Sequence, residues 1–355
     1  MSAGASAGPR WRAVLLALLV GGVGGALFST WRLPLPWMLG PMAACLLGAL
    51  LKLPLAETPL VPPYMRAVLG FMLGSAFTPD LLDRLGGMFL SLLCLVPYII
   101  IIGFTGVPYF RRMAHASGTT AYFSAMPGGL HDMVLIGREM GGDDRIIALV
   151  HGTRILLIVF ILPFLVQLAG AGELGPRPAF GVSITQVSRE DILTLIGCGA
   201  VGWPLAVKLR LPGPAIVGPM LVSALVHITG WSGAMAPTEL VSLAQLIVGI
   251  AIGCRFVGVA AREVGRVILL SLGLLVIMAG TTGLFALLLS RLLDMDPVVI
   301  VLAFSPGGLA ETSLIALSLN MDVAFVATHH VCRILMVVIG APLTFRALRR
   351  PGAAR

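Results

Sequence analysis

Four stretches of this chain, 13–28, 88–109, 146–168 and 267–289, run with few or no charges. Each is close to the ~20 residues that an α-helix needs to cross a bilayer. The composition agrees: 58% of the 355 residues are hydrophobic and 11% are charged, against about 25% charged in soluble domains. No soluble core absorbs this much apolar sequence, so the reading is an all-α polytopic membrane protein with the lipid bilayer as its main partner. The first run follows Arg10 and Arg12 and leads directly into further spans, which marks a signal anchor over a cleaved signal peptide. The net charge of +8 fits the cytoplasmic excess of Lys and Arg in membrane proteins. With no basic helix, zinc spacing or other recognition motif, no nucleic-acid partner is expected. Cys45, Cys94, Cys198, Cys254 and Cys332 lie scattered in apolar segments without a C-x-x-C, as packing residues do. No metal site and no cofactor are expected.

The chain is written twice. "MPGGLHDMVLIGREMGGDDRIIALVHGTRILLIVFILPFLVQ" (126–167) aligns without gaps on "SPGGLAETSLIALSLNMDVAFVATHHVCRILMVVIGAPLTFR" (305–346), with 14 of 42 positions identical. The polar and helix-breaking identities weigh most: Pro127 with Pro306, Gly128 with Gly307, Gly129 with Gly308, Asp143 with Asp322, His151 with His330, Arg154 with Arg333, and Pro163 with Pro342. Asp132 faces Glu311 and keeps a carboxylate. Upstream, "LPLPWMLGPM" (33–42) matches "LPGPAIVGPM" (211–220), and "LGFMLG" (69–74) matches "VGIAIG" (248–253). The chain divides into membrane repeat 1 (10–170), a polar linker (171–188) and membrane repeat 2 (189–348).

Equivalent loops carry opposite charge. After the third apolar segment, repeat 1 has Asp80, Asp83 and Arg84, and repeat 2 has Arg262, Glu263 and Arg266. After the fourth, repeat 1 has Arg111 and Arg112, and repeat 2 has Arg291, Asp294 and Asp296. Basic residues mark the cytoplasmic side, so the repeats are expected to be inverted. Arg10 and Arg12 then place the N-terminus inside, together with Lys208, Arg210 and the tail cations Arg346, Arg349, Arg350 and Arg355. The linker acids Glu173, Glu190 and Asp191 fall outside. This requires an odd number of crossings per repeat, read as about five spans plus one broken or re-entrant helix. Inverted repeats with broken helices are common among secondary transporters.

The break is Pro127-Gly128-Gly129, repeated at Pro306-Gly307-Gly308. Irregular backbone at membrane depth is tolerated only where protein or a watery cavity surrounds it. Pro lacks an N–H and Gly permits unusual dihedrals, so the triplet reads as a turn before a half-helix starting near Leu130. The free N–H groups of such a helix attract anions. Asp132 and Glu311, in its first turn, either cap the helix or belong to a binding site. His131, replaced by Ala310 in the second repeat, reads as a local hydrogen-bonding residue.

The helix that follows holds Asp143, His151 and Arg154, repeated as Asp322, His330 and Arg333. Eleven residues make about three turns, or roughly 16 Å. The aspartates then lie near a surface as N-caps, and the arginines near the midplane, approached from opposite sides. An intramembrane arginine is a functional candidate by default. It serves either as an ion pair with the acid at the break or as a substrate-binding group. His151 and His330, a turn away, suit a proton relay or packing equally. The Gly-Pro-Met sites at 40–42 and 218–220 read as packing kinks, and the Gly-rich stretch 21–25 as a close helix contact.

At these paired PGG…acid…His…Arg blocks the chain resembles the AbrB family of bacterial membrane proteins, built from two AbrB-type repeats. The resemblance covers nearly the whole chain, and the duplicated PGG-L-acid block is its most specific part. Members carry the names of a gene regulator and of an ammonia monooxygenase. The family's broader likeness is to inverted-repeat antiporters and symporters with crossed broken helices. A copper monooxygenase needs clustered ligands, yet of six histidines only His329 and His330 are adjacent, so no enzyme is expected. The expected function is a secondary-transporter-like protein of the bacterial inner membrane with both termini cytoplasmic. It would move a small solute, an organic anion or amino acid coupled to H+ or Na+, and homo-oligomerisation stays open. The binding residues would be Pro127, Gly128, Gly129, Asp132, Arg154, Pro306, Gly307, Gly308, Glu311 and Arg333, with His151 and His330 as relay candidates. The alternative is a membrane-embedded regulator or sensor that affects gene expression indirectly.

Overall fold

A computed structural model describes residues 10–57, 60–168 and 182–348. The linker acid Glu173, the tail arginines Arg349, Arg350 and Arg355, and the side chains of Arg10, Asp83 and Arg84 lie outside the described residues. Among the described residues the chain is helical, and one isolated bridge joins Val182 to Pro237.

The helices are α1 (Arg10–Thr30), α2 (Pro36–Leu50), α3 (Val61–Gly74), α4 (Leu81–Leu93), α5 (Leu95–Met113), α6 (Gly118–Ala125), α7 (Leu130–Glu139) and α8 (Asp144–Leu168). After the linker come α9 (Arg189–Lys208), α10 (Pro214–Ile228), α11 (Thr238–Cys254), α12 (Ala261–Leu293), α13 (Pro297–Phe304), α14 (Leu309–Ser318) and α15 (Val323–Leu348). The starts of α6, α7 and α8 (118, 130, 144) and of α13, α14 and α15 (297, 309, 323) differ by the same 179 residues as the aligned sequences. The fourth segment differs between the halves: α12 is continuous, whereas its counterpart breaks at Cys94 into α4 and α5. Pro97 explains the break, because its ring lacks an N–H and collides with the carbonyl four residues back, at Leu93.

Six helical stretches are long and apolar enough to cross a membrane: 11–30, 86–113, 144–168, 189–208, 261–293 and 323–348. That is three in each half, where the charge pattern led us to expect five. The shortfall is one of length. α2, α10 and α11 are apolar but have 15, 15 and 17 residues, about 22–26 Å at 1.5 Å per residue against a hydrocarbon core of about 30 Å. Outward-facing positions are apolar, with Leu19, Phe104, Leu269 and Val276 each more than two-thirds exposed, while His151, His330, Arg154 and Arg333 are buried. Water would favour the reverse arrangement.

The halves interlock. α3 packs on α10, and α2 on α11. A Cβ on Gly70 or Gly74 of α3 would overlap the carbonyl oxygens of Ile216 and Met220 in α10. The equivalent Gly249 and Gly253 of α11 stand in the same way against Met38 and Met42 of α2. Within each half, Gly24 of α1 meets Gly40 of α2, and Gly202 of α9 meets Gly218 of α10, backbone on backbone. Gly40 and Gly218, the glycines of the Gly-Pro-Met sites, are thus packing positions. Small residues let helices approach closely enough for dispersion forces to act between backbones.

Candidate functional site

α6 and α7 form one broken element, and α13 and α14 the other. Ser117 caps α6, its Oγ accepting from Thr120 N at 3.2 Å. The equivalent Asp296 caps α13, accepting from Val298 N at 2.8 Å. Each first half ends where a residue precedes proline. Met126 (φ −61°, ψ 136°) and Ser305 (φ −56°, ψ 137°) are extended, the conformation that a following Pro enforces. α7 and α14 restart at Leu130 and Leu309.

The glycines of the break supply space, not unusual dihedrals. Gly129 (φ −66°, ψ 141°) and Gly308 (φ −78°, ψ 150°) are in ordinary extended backbone. A Cβ on Gly129 would collide with the Asp132 carboxylate, and one on Gly308 with the Glu311 carboxylate. Both acids thus fold back over the start of their own helix, where the dipole favours negative charge. A Cβ on Gly128 would press on Met133 and Val337.

Arg154 and Arg333 are 2% and 1% exposed. Neither pairs with the acid at its break. Arg154 donates through Nη1 to Met126 O and through Nη2 to Gly128 O, both at 2.9 Å. Arg333 donates through Nη1 to Phe304 O at 3.2 Å and Ser305 O at 2.5 Å, and through Nη2 to Gly307 O at 3.3 Å. Each guanidinium therefore closes the C-terminal end of the first half-helix, where carbonyls lack intrahelical donors and the dipole is negative. The fork geometry of arginine suits two carbonyls a residue or two apart. The two cations come within electrostatic reach of each other and of Tyr98, whose hydroxyl lies 3.0 Å from Thr282 Oγ1. Arg154 Nε and Arg333 Nε are buried without a partner.

The histidines serve the same backbone. His151 Nε2 lies 2.9 Å from Phe123 O, and His330 Nε2 lies 3.0 Å from the equivalent Leu302 O. His330 Nδ1 is 3.0 Å from Arg333 Nη2. Arginine only donates, so Nδ1 accepts and the proton sits on Nε2, shared between Leu302 O and Thr312 Oγ1 at 2.9 Å. Thr312 in turn donates to Gly308 O at 2.7 Å. Met133 stands at the place of Thr312 in the first half, so that branch is absent there. Asp143 and Asp322 cap the following helices, accepting from Ile146 N at 3.0 Å and Phe325 N at 2.9 Å.

Beside the start of α7 lies a cavity of about 550 Å³. Arg66 of α3, Arg255 at the end of α11, Glu57 and His131 supply its polar lining, and Leu130, Gly152 and Phe256 are among its other walls. Arg66, Arg255 and Glu57 were not singled out from the sequence, nor was Tyr98. Arg66 and Arg255 have no counterparts across the duplication, which pairs them with Gln245 and Ala76. A search for shared residues passes over such positions. The available signal was a lone cation inside an apolar segment.

Apolar outer faces, membrane-length helices and buried cations at broken helices are the features of a helical membrane protein. A family model described as "Transition state regulatory protein AbrB" matches residues 37–349, and the chain belongs to this family. It is 26% identical to the YhjN protein of Bacillus subtilis (strain 168), over 93% of this chain and 92% of that protein. It is also 26% identical to a protein of Escherichia coli (strain K12) named "Putative regulator AbrB", over 90% of this chain and 91% of that one. Among the described residues no three metal-binding side chains cluster.

Proposed function

We propose that this protein is a secondary-transporter-like carrier of a small organic anion or amino acid, coupled to H+ or Na+, and not an enzyme. The observation that carries this reading is the pair of broken helices, each held open by a buried arginine on backbone carbonyls. Such breaks are tolerated at membrane depth only where protein or a watery cavity surrounds them, discontinuous helices form the binding sites of many secondary transporters, and a cavity lies against one of these two. In this reading repeats 10–170 and 189–348 are inverted about the membrane plane in the bacterial inner membrane. The termini are cytoplasmic, and the interlock of α2 with α11 and α3 with α10 is the axis on which the halves rock. Arg154, Arg333, His151 and His330 then hold the frame of the path, and Pro127, Gly128, Gly129, Asp132 and their counterparts Pro306, Gly307, Gly308 and Glu311 shape its ends.

Purified protein reconstituted in liposomes should accumulate a labelled carboxylate or amino acid when a proton or sodium gradient is imposed. The rate should collapse when the gradient is dissipated. Absence of flux across the whole panel, in protein that melts cooperatively, would remove the transport reading. A second reading is favoured by the family description and by the name of the E. coli relative: a membrane-embedded regulator that acts on gene expression through another protein. It predicts a stoichiometric partner recovered from detergent-solubilised membranes, and ligand binding without flux.

A further inference from the structure

The two breaks are sequence-equivalent but differently exposed. At the second, Leu309, Ala310 and Glu311 are all buried. At the first, His131 is exposed and Leu130 and Asp132 are partly so, and the opening is the 550 Å³ cavity. The cavity takes one guanidinium from each half, Arg66 from α3 and Arg255 from the end of α11. Neither forms a hydrogen bond or ion pair with another described residue. Both are in electrostatic reach of His131 and Glu311, and Arg255 also of Glu57. Two partly buried guanidiniums without a bound carboxylate are unusual, because burying a charge is costly unless it is paired. The N-terminal end of α7 adds partial positive charge from the same side. Glu57 supplies the one opposing charge among the lining residues.

We propose that this cavity is a binding site for a small monocarboxylate, its two oxygens shared between Arg66 and Arg255. Planar forks match carboxylates two oxygens at a time, and with Glu57 in the lining and Glu311 in electrostatic reach of both arginines, one added negative charge suits the cavity better than two. The volume is within the range of small-molecule sites, about 300–1,000 Å³. Because Arg66 and Arg255 come from different halves, an anion bridging them adds a tie between α3 and α11, which already pack on each other, and its release removes that tie. That consequence rests on the transport reading, whereas the site itself does not.

The test is equilibrium binding to the purified full-length protein in detergent, with acetate, lactate and benzoate as monocarboxylates, succinate as a dicarboxylate, and chloride and ammonium as controls. A bound monocarboxylate should raise the melting temperature saturably, as mass action requires. Arg66→Gln and Arg255→Gln should each weaken it about tenfold to a hundredfold, the range of one charge-assisted hydrogen bond. Glu57→Gln should tighten it, a gain that misfolding cannot produce. Arg145→Gln, which removes a surface pair with Glu263, should leave affinity unchanged. Succinate binding more tightly than every monocarboxylate would overturn the proposal, as would no gain in Glu57→Gln or binding that persists in the Arg66→Gln/Arg255→Gln double variant. Binding as expected with no liposome flux would instead overturn the transport reading and leave the site standing.

Discussion

At the scale of single residues, the buried arginines decide whether the breaks exist. Arg333 satisfies three carbonyls and Arg154 two, and each acceptor left without a donor costs ~1–3 kcal/mol. Arg154→Ala and Arg333→Ala should both lower thermal stability in detergent. Lysine should not restore it, since one ammonium on a flexible stem does not reproduce a planar fork. Arg333→Ala should be the more damaging, because it also strips His330 Nδ1 of its donor. Melting curves decide the matter: an unchanged midpoint in Arg333→Ala would mean that the guanidinium is not part of the frame. The glycines make a companion case. Gly40→Ala places a methyl on the backbone carbonyl of Gly24 and should cost about 1–3 kcal/mol, as overpacking does. Gly280→Ala, with open space around its Cβ position, should be neutral or slightly stabilising, since alanine is the better helix former.

At the scale of elements, the contacts between the halves predict a symmetry of damage. Gly70 and Gly249 carry equivalent contacts, each meeting a carbonyl of the opposite half. Gly70→Val and Gly249→Val should therefore destabilise by similar amounts, while Gly86→Val, in the open, should not. Thermal melts of the three variants test this, and a large inequality between the first two would show that the interlock is one-sided. The elements were unequally legible in sequence. The restart of the half-helices at Leu130 and Leu309 was legible because the signals are local: a proline, two glycines and an acid within six residues. The partners of Arg154 were not, because the ion pair that a charge invites and the carbonyls it takes differ only once α6 and α8 are packed together. Pro97 was visible, but an apolar run reads as one span until the lost hydrogen bond is counted. The cavity was least legible of all. It needs Arg66 and Arg255 together, 189 positions apart in the chain and with no counterparts across the duplication.

At the scale of the whole molecule, the question is whether the duplicated halves face opposite ways. The loops after α1 and α9 give the sharpest test, because they share an Arg-Leu-Pro sequence and differ in their predicted side. Arg32 and Arg210 occupy equivalent positions in them and share the left-handed backbone, φ 54° and φ 53°. The shared conformation keeps backbone geometry from biasing the comparison, and a Lys208→Thr background, which copies Thr30 of the first loop, removes the one charge difference beside them. If the N-terminus is cytoplasmic and α1 crosses once, Arg32 is outside, and an odd number of crossings before the linker returns Arg210 to the inside. In a cysteine-free background, Arg32→Cys should react with a membrane-impermeant maleimide in intact spheroplasts, and Arg210→Cys only after permeabilisation. Reaction of both, or of neither, would mean that the halves run parallel. The crossed packing of α2 on α11 and α3 on α10 would then exchange equivalent helices about an axis normal to the membrane. In that arrangement Arg154 and Arg333 would approach Tyr98 from the same side of the bilayer, and the breaks could not line a path leading from one face to the other.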